Sequence, residues 1–172
     1  MQPKISVVVT VYNEEENIRP LVERITEAMD GYDYEIIYAD DGSTDRTVQV
    51  LFSLDHPRLR VVELKRNYGQ STALMAGIDF ARGEYIATMD GDLQNDPSDI
   101  PQMLQLAEEG DYDMIAGNRA NRKDGMFFRK IPSKIANYII REAGGVKLKD
   151  YGCALRVMKA DLARDLGLYG EL

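Results

Sequence analysis

The sequence predicts an α/β fold with a mainly parallel sheet flanked by helices. Three observations carry that expectation. Short β-branched runs alternate with amphipathic helical stretches along most of the chain. The turn residues fall at the junctions between them. The polar residues of interest gather just after the strand-like runs, where ligands bind in parallel sheets.

The elements follow in order. Lys4 to Thr10 is a β-branched run of central-strand type. Asn13 is placed as N-cap of a first helix, with Glu16 completing a capping box. Ile18, Leu21, Val22, Ile25 and Met29 recur at helical spacing and define its buried face. Tyr34 to Asp40 is the second strand, and it ends in Asp40-Asp41-Gly42-Ser43-Thr44. Ser43 or Thr44 is expected to cap the next helix, which packs through Val48 and Leu51. Leu59 to Leu64 is the third strand. After Lys65-Arg66-Asn67-Tyr68-Gly69-Gln70 comes a helix rich in small residues (Ala73, Gly77, Ala81), suited to close packing on a sheet. Tyr85 to Met89 is the fourth strand, Pro97 to Glu109 a helix with Pro97 near its first turn, and Asp113 to Gly117 the fifth strand.

Beyond Gly117 the pattern changes. Asn118 to Met126 is polar and basic, a loop by composition. Phe127 to Ala143 is expected to be a helix with Ile131, Ile135, Tyr138 and Ile139 on one side. Ala154 to Met158 is a short strand and Ala160 to Leu166 a last helix. The C-terminal residues carry neither a cap nor a charged tail, which suggests truncation of a longer chain.

A length of 172 residues with 44% hydrophobic content suits one domain, 1-172. No run reaches the length of a membrane span and no signal peptide is evident, so a cytoplasmic location is expected. Cys153 is the only cysteine and His56 the only histidine. One cysteine excludes an internal disulfide and a thiolate metal cluster, and the place of His56 directly before Pro57, in a loop, argues against a histidine-based triad or zinc site. The net charge of −8 argues against nucleic acid as a partner. It conceals a division: residues 1-118 hold 9 Lys/Arg against 23 Asp/Glu, and residues 119-172 hold 12 against 6. An acidic, metal-binding part followed by a basic, anion-receiving part accounts for that split, and solvated helix faces would produce some of it.

The chemistry concentrates in Met89-Asp90-Gly91-Asp92-Leu93-Gln94. Two carboxylates one glycine apart at a strand end repel unless a cation lies between them, although Asp and Gly are also ordinary turn residues. No glycine-rich phosphate cradle follows the first strand; Val11-Tyr12-Asn13-Glu14-Glu15-Glu16 is acidic instead. A diphosphate here would therefore be met through Mg2+ or Mn2+ held by Asp90 and Asp92, with Gln94 a third oxygen donor.

Four pieces in this order, Val8-Val9-Thr10-Val11-Tyr12-Asn13-Glu14, Asp40-Asp41-Gly42-Ser43-Thr44-Asp45, Met89-Asp90-Gly91-Asp92-Leu93-Gln94 and Asp150-Tyr151-Gly152-Cys153-Ala154-Leu155-Arg156, resemble family 2 glycosyltransferases of GT-A fold. Within that family they are most similar to polyprenyl-phosphate glycosyltransferases of the dolichol-phosphate mannose synthase type. The resemblance implies a metal-dependent, inverting transfer of a sugar from a UDP- or GDP-sugar to a polyprenyl phosphate, undecaprenyl or dolichyl, at the inner face of the cell membrane. It implies a nucleotide-sugar site of Thr10, Tyr12, Glu14, Asp40, Asp41, Gln70, Asp90 and Gly91, and metal ligands Asp90, Asp92 and Gln94. Arg119, Arg129 and Ser133 match the acceptor-phosphate positions, and Arg chemistry suits that task independently. Asp150, with Asp92, would be catalytic; the Gly-Phe pair that the family carries ahead of its arginine is Ala154-Leu155 here. The resemblance also implies membrane contact, through the surface or through transmembrane helices absent from these 172 residues, and leaves the oligomeric state open. Two other functions fit the same residues: a family 2 transferase acting on a saccharide hydroxyl in cell-envelope polysaccharide synthesis, which requires a true base, and a nucleotide-sugar binding module without turnover.

Overall fold

A computed structural model describes residues 2–118, 127–131 and 154–166, with the backbone alone for 118 and 127–131. Seven strands form one mixed sheet: β1 (Ile5–Val11), β2 (Tyr34–Asp40), β3 (Leu59–Glu63), β4 (Tyr85–Asp90), β5 (Met114–Asn118), β6 (Phe127–Ile131) and β7 (Arg156–Lys159), in the spatial order β3-β2-β1-β4-β7-β5-β6. The first four strands are mutually parallel, and β7 enters antiparallel to both β4 and β5. Five strands therefore run one way, as the strand–helix alternation predicts. β6 pairs antiparallel with β5 at the far edge.

Helices α1 (Ile18–Ala28), α2 (Thr47–Ser53), α3 (Gln70–Phe80), α4 (Ile100–Glu109) and α5 (Ala160–Asp165) cover the two faces. Alternation along β1 divides the core, because successive side chains point to opposite faces. Val7 and Val9 join Leu21 and Ile25 of α1, Leu51 of α2 and Leu104 of α4 on one face. Val8 meets Ile37, Met75 and Ile78 of α3 and Leu162 of α5 on the other. All seven residues of β1 are buried, as befits a strand covered on both faces. Small residues let α3 approach closely: a Cβ on Gly77 would lie 2.5 Å from Val8 Cγ1 and 3.3 Å from Ala39 Cβ.

Four expectations about local structure are corrected. α1 begins at Ile18, not after Asn13; its N-cap residue is Asn17, with no side-chain cap. Asn13 takes a positive φ of 54°, a conformation Asn tolerates, and serves the neighbouring loop instead. α2 is not capped by Ser43 or Thr44: Asp45 Oδ1 accepts from Thr47 N–H at 2.9 Å. Pro97 opens a short 3-10 turn, Pro97–Asp99, ahead of α4, and Asp96 accepts from Ser98 N–H. Finally, Phe127–Ile131 is strand β6, not the start of a helix. A short apolar run does not distinguish strand from helix by period, and Pro132 supplied the overlooked signal, since the residue before a proline is biased to extended backbone. The remainder of that expected helix lies outside the described residues. No helix among the described residues is long and apolar enough to cross a membrane.

Candidate active site

Because β1, β2 and β4 are parallel and adjacent, their carboxyl ends meet on one edge of the sheet. Val11 stands opposite Asp40, and Thr10 opposite Asp90. Above that edge lies a cleft of about 350 Å3. Thr10 near the end of β1 with Tyr12 and Glu14 beyond it, Asp41 after β2, Gln70 at the start of α3, and Asp90 at the end of β4 with Gly91 and Asp92 beyond it all line it. Gln70 is 20 residues from Asp90 and Thr10 80 residues from it, and the segments converge because each lies at or just beyond the carboxyl end of a strand of the same direction.

The loops that carry them are stitched together. Asn13 Oδ1 accepts from the N–H groups of Thr44 (2.8 Å) and Asp45 (3.3 Å), and Asn13 N–H donates to Ser43 Oγ. Glu14 N–H donates to Thr47 Oγ1 at 2.9 Å, and Arg46 N–H to Glu15 Oε2. These reciprocal bonds satisfy backbone donors that the loops would otherwise leave to water, and they fix the segment bearing Tyr12 and Glu14. Asp45 sits at their centre. Partial burial pushes its carboxyl up, but the Thr47 hydroxyl, the Thr47 N–H and the Glu15 N–H together hold it below its ordinary value.

The adjacent aspartates after β2 divide their work. Asp40 is fully buried and turns inward, accepting from the N–H and hydroxyl of Ser43; it is not among the cleft-lining residues. Asp41, also buried, faces the cleft and accepts from Tyr68 N–H at 2.7 Å and Gly69 N–H at 3.0 Å. It thereby holds the β3–α3 loop over the strand ends. Gly42 makes that approach possible, with a φ of 70° and a backbone so near that an added Cβ would lie 2.3 Å from the Arg66 carbonyl carbon. Asn67, Gly69 and Ala73 thus also line the cleft, which sequence reasoning did not anticipate. The available signal was position: a polar stretch directly after β3 belongs at the same edge as the other loops.

Asp90 Oδ1 accepts from Gln70 Nε2 and, at 3.4 Å, from Thr10 Oγ1. Gly91 N–H donates to Thr10 O at 3.0 Å, and a Cβ on Gly91 would lie 2.3 Å from Val11 Cγ1. Glycine thus keeps the two carboxylate residues tight against β1. Asp92 is exposed and accepts from Gln94 N–H at 3.0 Å. Gln94 is exposed and does not line the cleft, so its placement gives no support to a third protein ligand. Among the described residues no group of three or more His, Cys, Asp or Glu side chains forms a cage for a metal. Two carboxylates and an open cleft still suit Mg2+ or Mn2+, which retain waters and take one or two carboxylates plus substrate phosphates.

Of the remaining sequence-predicted residues, Arg129 lies on β6 opposite Ala116 of β5, with only its backbone described. Arg119, Ser133 and Asp150 lie outside the described residues.

Comparison with known proteins agrees with this arrangement. Residues 6–167 match the model of glycosyl transferase family 2. The chain is 51% identical over 174 residues to a dodecaprenyl-phosphate galacturonate synthase of Rhizobium johnstonii, covering 98% of this chain and 52% of that protein. It is 44% identical over 161 residues to an undecaprenyl-phosphate 4-deoxy-4-formamido-L-arabinose transferase of Photorhabdus laumondii, covering 91% of this chain and 49% of that protein. The chain thus spans about half the length of these curated relatives. Among solved structures, a mannosyltransferase from Pyrobaculum calidifontis in complex with GDP-Man and Mn2+ superposes with a TM-score of 0.68 at 22% identity, covering 97% of this chain and 47% of that one. A glucosyl-3-phosphoglycerate synthase from Mycobacterium tuberculosis in complex with UDP gives 0.63 at 21% identity, covering 96% of this chain and 64% of that one. These likenesses show a common GT-A fold. With its motifs in order and nearly its whole length matched, the chain belongs to glycosyl transferase family 2.

Proposed function

We propose that this chain is the catalytic part of a metal-dependent, inverting glycosyltransferase that moves a sugar from a nucleotide diphosphate sugar to a polyprenyl phosphate at the cytoplasmic face of the membrane. The observation that carries the reading is the pair Asp90 and Asp92 at the mouth of a cleft whose other wall is Thr10, Tyr12, Glu14 and Asp41. Support for the acceptor comes from two relatives whose names include a polyprenyl phosphate.

In this reading Thr10, Tyr12, Glu14 and Asp41 receive the nucleoside, a carboxylate accepting from a base N–H, while Asp40 acts from behind by shaping the turn. Asp90 and Asp92 would hold Mg2+ or Mn2+, which would supply positive charge to offset that of the leaving diphosphate. Arg119, Arg129 and Ser133 bind the acceptor phosphate, and Asp150 orients sugar or acceptor near the reacting carbon. An oxygen of that phosphate forms the new bond to the anomeric carbon as the bond to the diphosphate oxygen breaks, and the nucleoside diphosphate leaves with the electron pair. A phosphate with its second pKa near about 6 is already mostly anionic at pH 7, so no general base is needed. Positioning and charge neutralisation supply most of the acceleration.

Calorimetry with UDP- and GDP-sugars, with and without Mn2+, tests the donor site. Tight binding that requires Mn2+ and is lost in Asp92→Ala is expected; equal affinity in the variant refutes the metal assignment. Turnover on undecaprenyl phosphate, measured beside short saccharides, tests the acceptor. Transfer to saccharides alone would replace the lipid reading with the hydroxyl-acceptor one.

A further inference from the structure

Gln70 is tied into the cleft from two directions. It is the first residue of α3 and follows Gly69, whose φ of 98° and ψ of 152° form a bend that other residues rarely adopt. Asp41 grips that bend through the N–H groups of Tyr68 and Gly69, and Ala73 N–H donates to Gly69 O as the helix begins. From this fixed base the Gln70 amide reaches Asp90 Oδ1. A relay therefore runs from the end of β2, through the β3–α3 loop, to the end of β4.

We propose that Gln70 is a positioning residue: it acts through Asp90, fixing the carboxylate in the orientation that meets a divalent cation. The inference rests on the reading of Asp90 as a cation ligand. Two donors on Oδ1, one from Gln70 and one from Thr10 on the adjoining strand, restrict rotation about the Cβ–Cγ bond and so set where both oxygens point. The chemistry of the donor matters as much as its place. A lysine or arginine there would neutralise Asp90 and compete with the cation, whereas an amide N–H orders the carboxylate and leaves its full charge to the metal. Gln70 is exposed at a helix start, so nothing in packing demands this residue type.

The test measures Mn2+ binding by the electron paramagnetic resonance of free Mn2+, alone and with UDP or GDP, in the whole chain. Gln70→Met keeps the stem and removes the donor; Gln70→Ala is a second variant, and thermal unfolding checks that both fold. Both are expected to weaken Mn2+ binding about tenfold, as loss of an outer partner of a metal ligand commonly does. Gln70→Met is expected to add no further loss of Mn2+ affinity in an Asp90→Asn background, which a direct contact of Gln70 with the cation would not produce. Unchanged Mn2+ affinity with weakened metal-free nucleotide binding overturns the proposal, because Gln70 would then touch the nucleotide directly. Wild-type Mn2+ affinity in Asp90→Asn itself overturns the reading of Asp90 on which the proposal stands, a result distinguishable from the first.

Discussion

Glu35 anchors the end of the sheet opposite the cleft, and replacing it by glutamine isolates what its charge contributes. The carboxylate is almost wholly buried. Its Oε1 accepts from Ser6 Oγ and Arg82 N–H, both at 2.7 Å, and its Oε2 from Arg82 Nε and Nη2 and from Arg60 Nη1 at 2.8–3.2 Å. Ser6 Oγ in turn accepts from Gly83 N–H, so one side chain joins β1, β2 and the turn before β4. In Glu35→Gln the amide oxygen retains the first two bonds, but the NH2 faces three guanidinium donors. Three charge-assisted bonds at full value would amount to more than about 5 kcal/mol. Arg60 and Arg82 are 38% and 61% exposed, however, and regain water, so a loss of about 2.5 kcal/mol is expected. For a chain of this size that lowers Tm by about 7 °C. Burial pushes the Glu35 carboxyl up, but the Arg82 N–H, the Ser6 hydroxyl and the two guanidinium groups outweigh it and hold the group below its ordinary value. A depressed carboxyl contributes stability above its unfolded value, near about pH 4.3, and loses it as pH falls through the folded value. Wild type and variant should thus differ most at pH 6–7 and converge as pH falls below about 4. Thermal unfolding followed by circular dichroism across that range is the assay. A Tm difference below about 2 °C at pH 7, or one that grows on acidification, would refute the argument.

Two glycines offer further checks. Gly42→Ala would force a Cβ against the Arg66 backbone at a φ of 70°, so a stability loss of about 2–3 kcal/mol and weaker nucleotide binding through the displaced β3–α3 loop are expected from thermal unfolding and calorimetry. In Gly91→Ala the clash is with Val11 Cγ1, a buried side chain that also lines the cleft. Stability should fall by about 1–2 kcal/mol while Mn2+-dependent turnover falls by about tenfold or more, because Asp90 and Asp92 both shift.

Much of the architecture around the cleft was legible in the sequence. The buried strands β1, β2 and β4 are legible as near-continuous apolar runs, and helices such as α1 by the three- and four-residue spacing of their buried residues. The same reading failed where partners are distant. Asn13 has the composition of a helix cap, yet it bonds to residues 31 and 32 positions away, and no local pattern distinguishes the two uses. Asp40 and Asp41 are chemically equivalent in sequence; one turns into the Ser43 turn and the other faces the cleft, because the chain leaving a strand alternates its side chains.

The sequence by itself determined an α/β chain of glycosyl transferase family 2 with Asp90-Gly91-Asp92 at a strand end, since these follow from periodicity and from ordered motifs. Tertiary structure alone decided that residues 156–159 insert as β7 between β4 and β5, that 127–131 extend the sheet as β6, and that Asp41 draws Gln70 over to Asp90. The reason is common to all three. Each depends on hydrogen bonds between segments far apart in the chain, and the free energy of such pairings is set by which backbone groups the rest of the fold leaves to be satisfied.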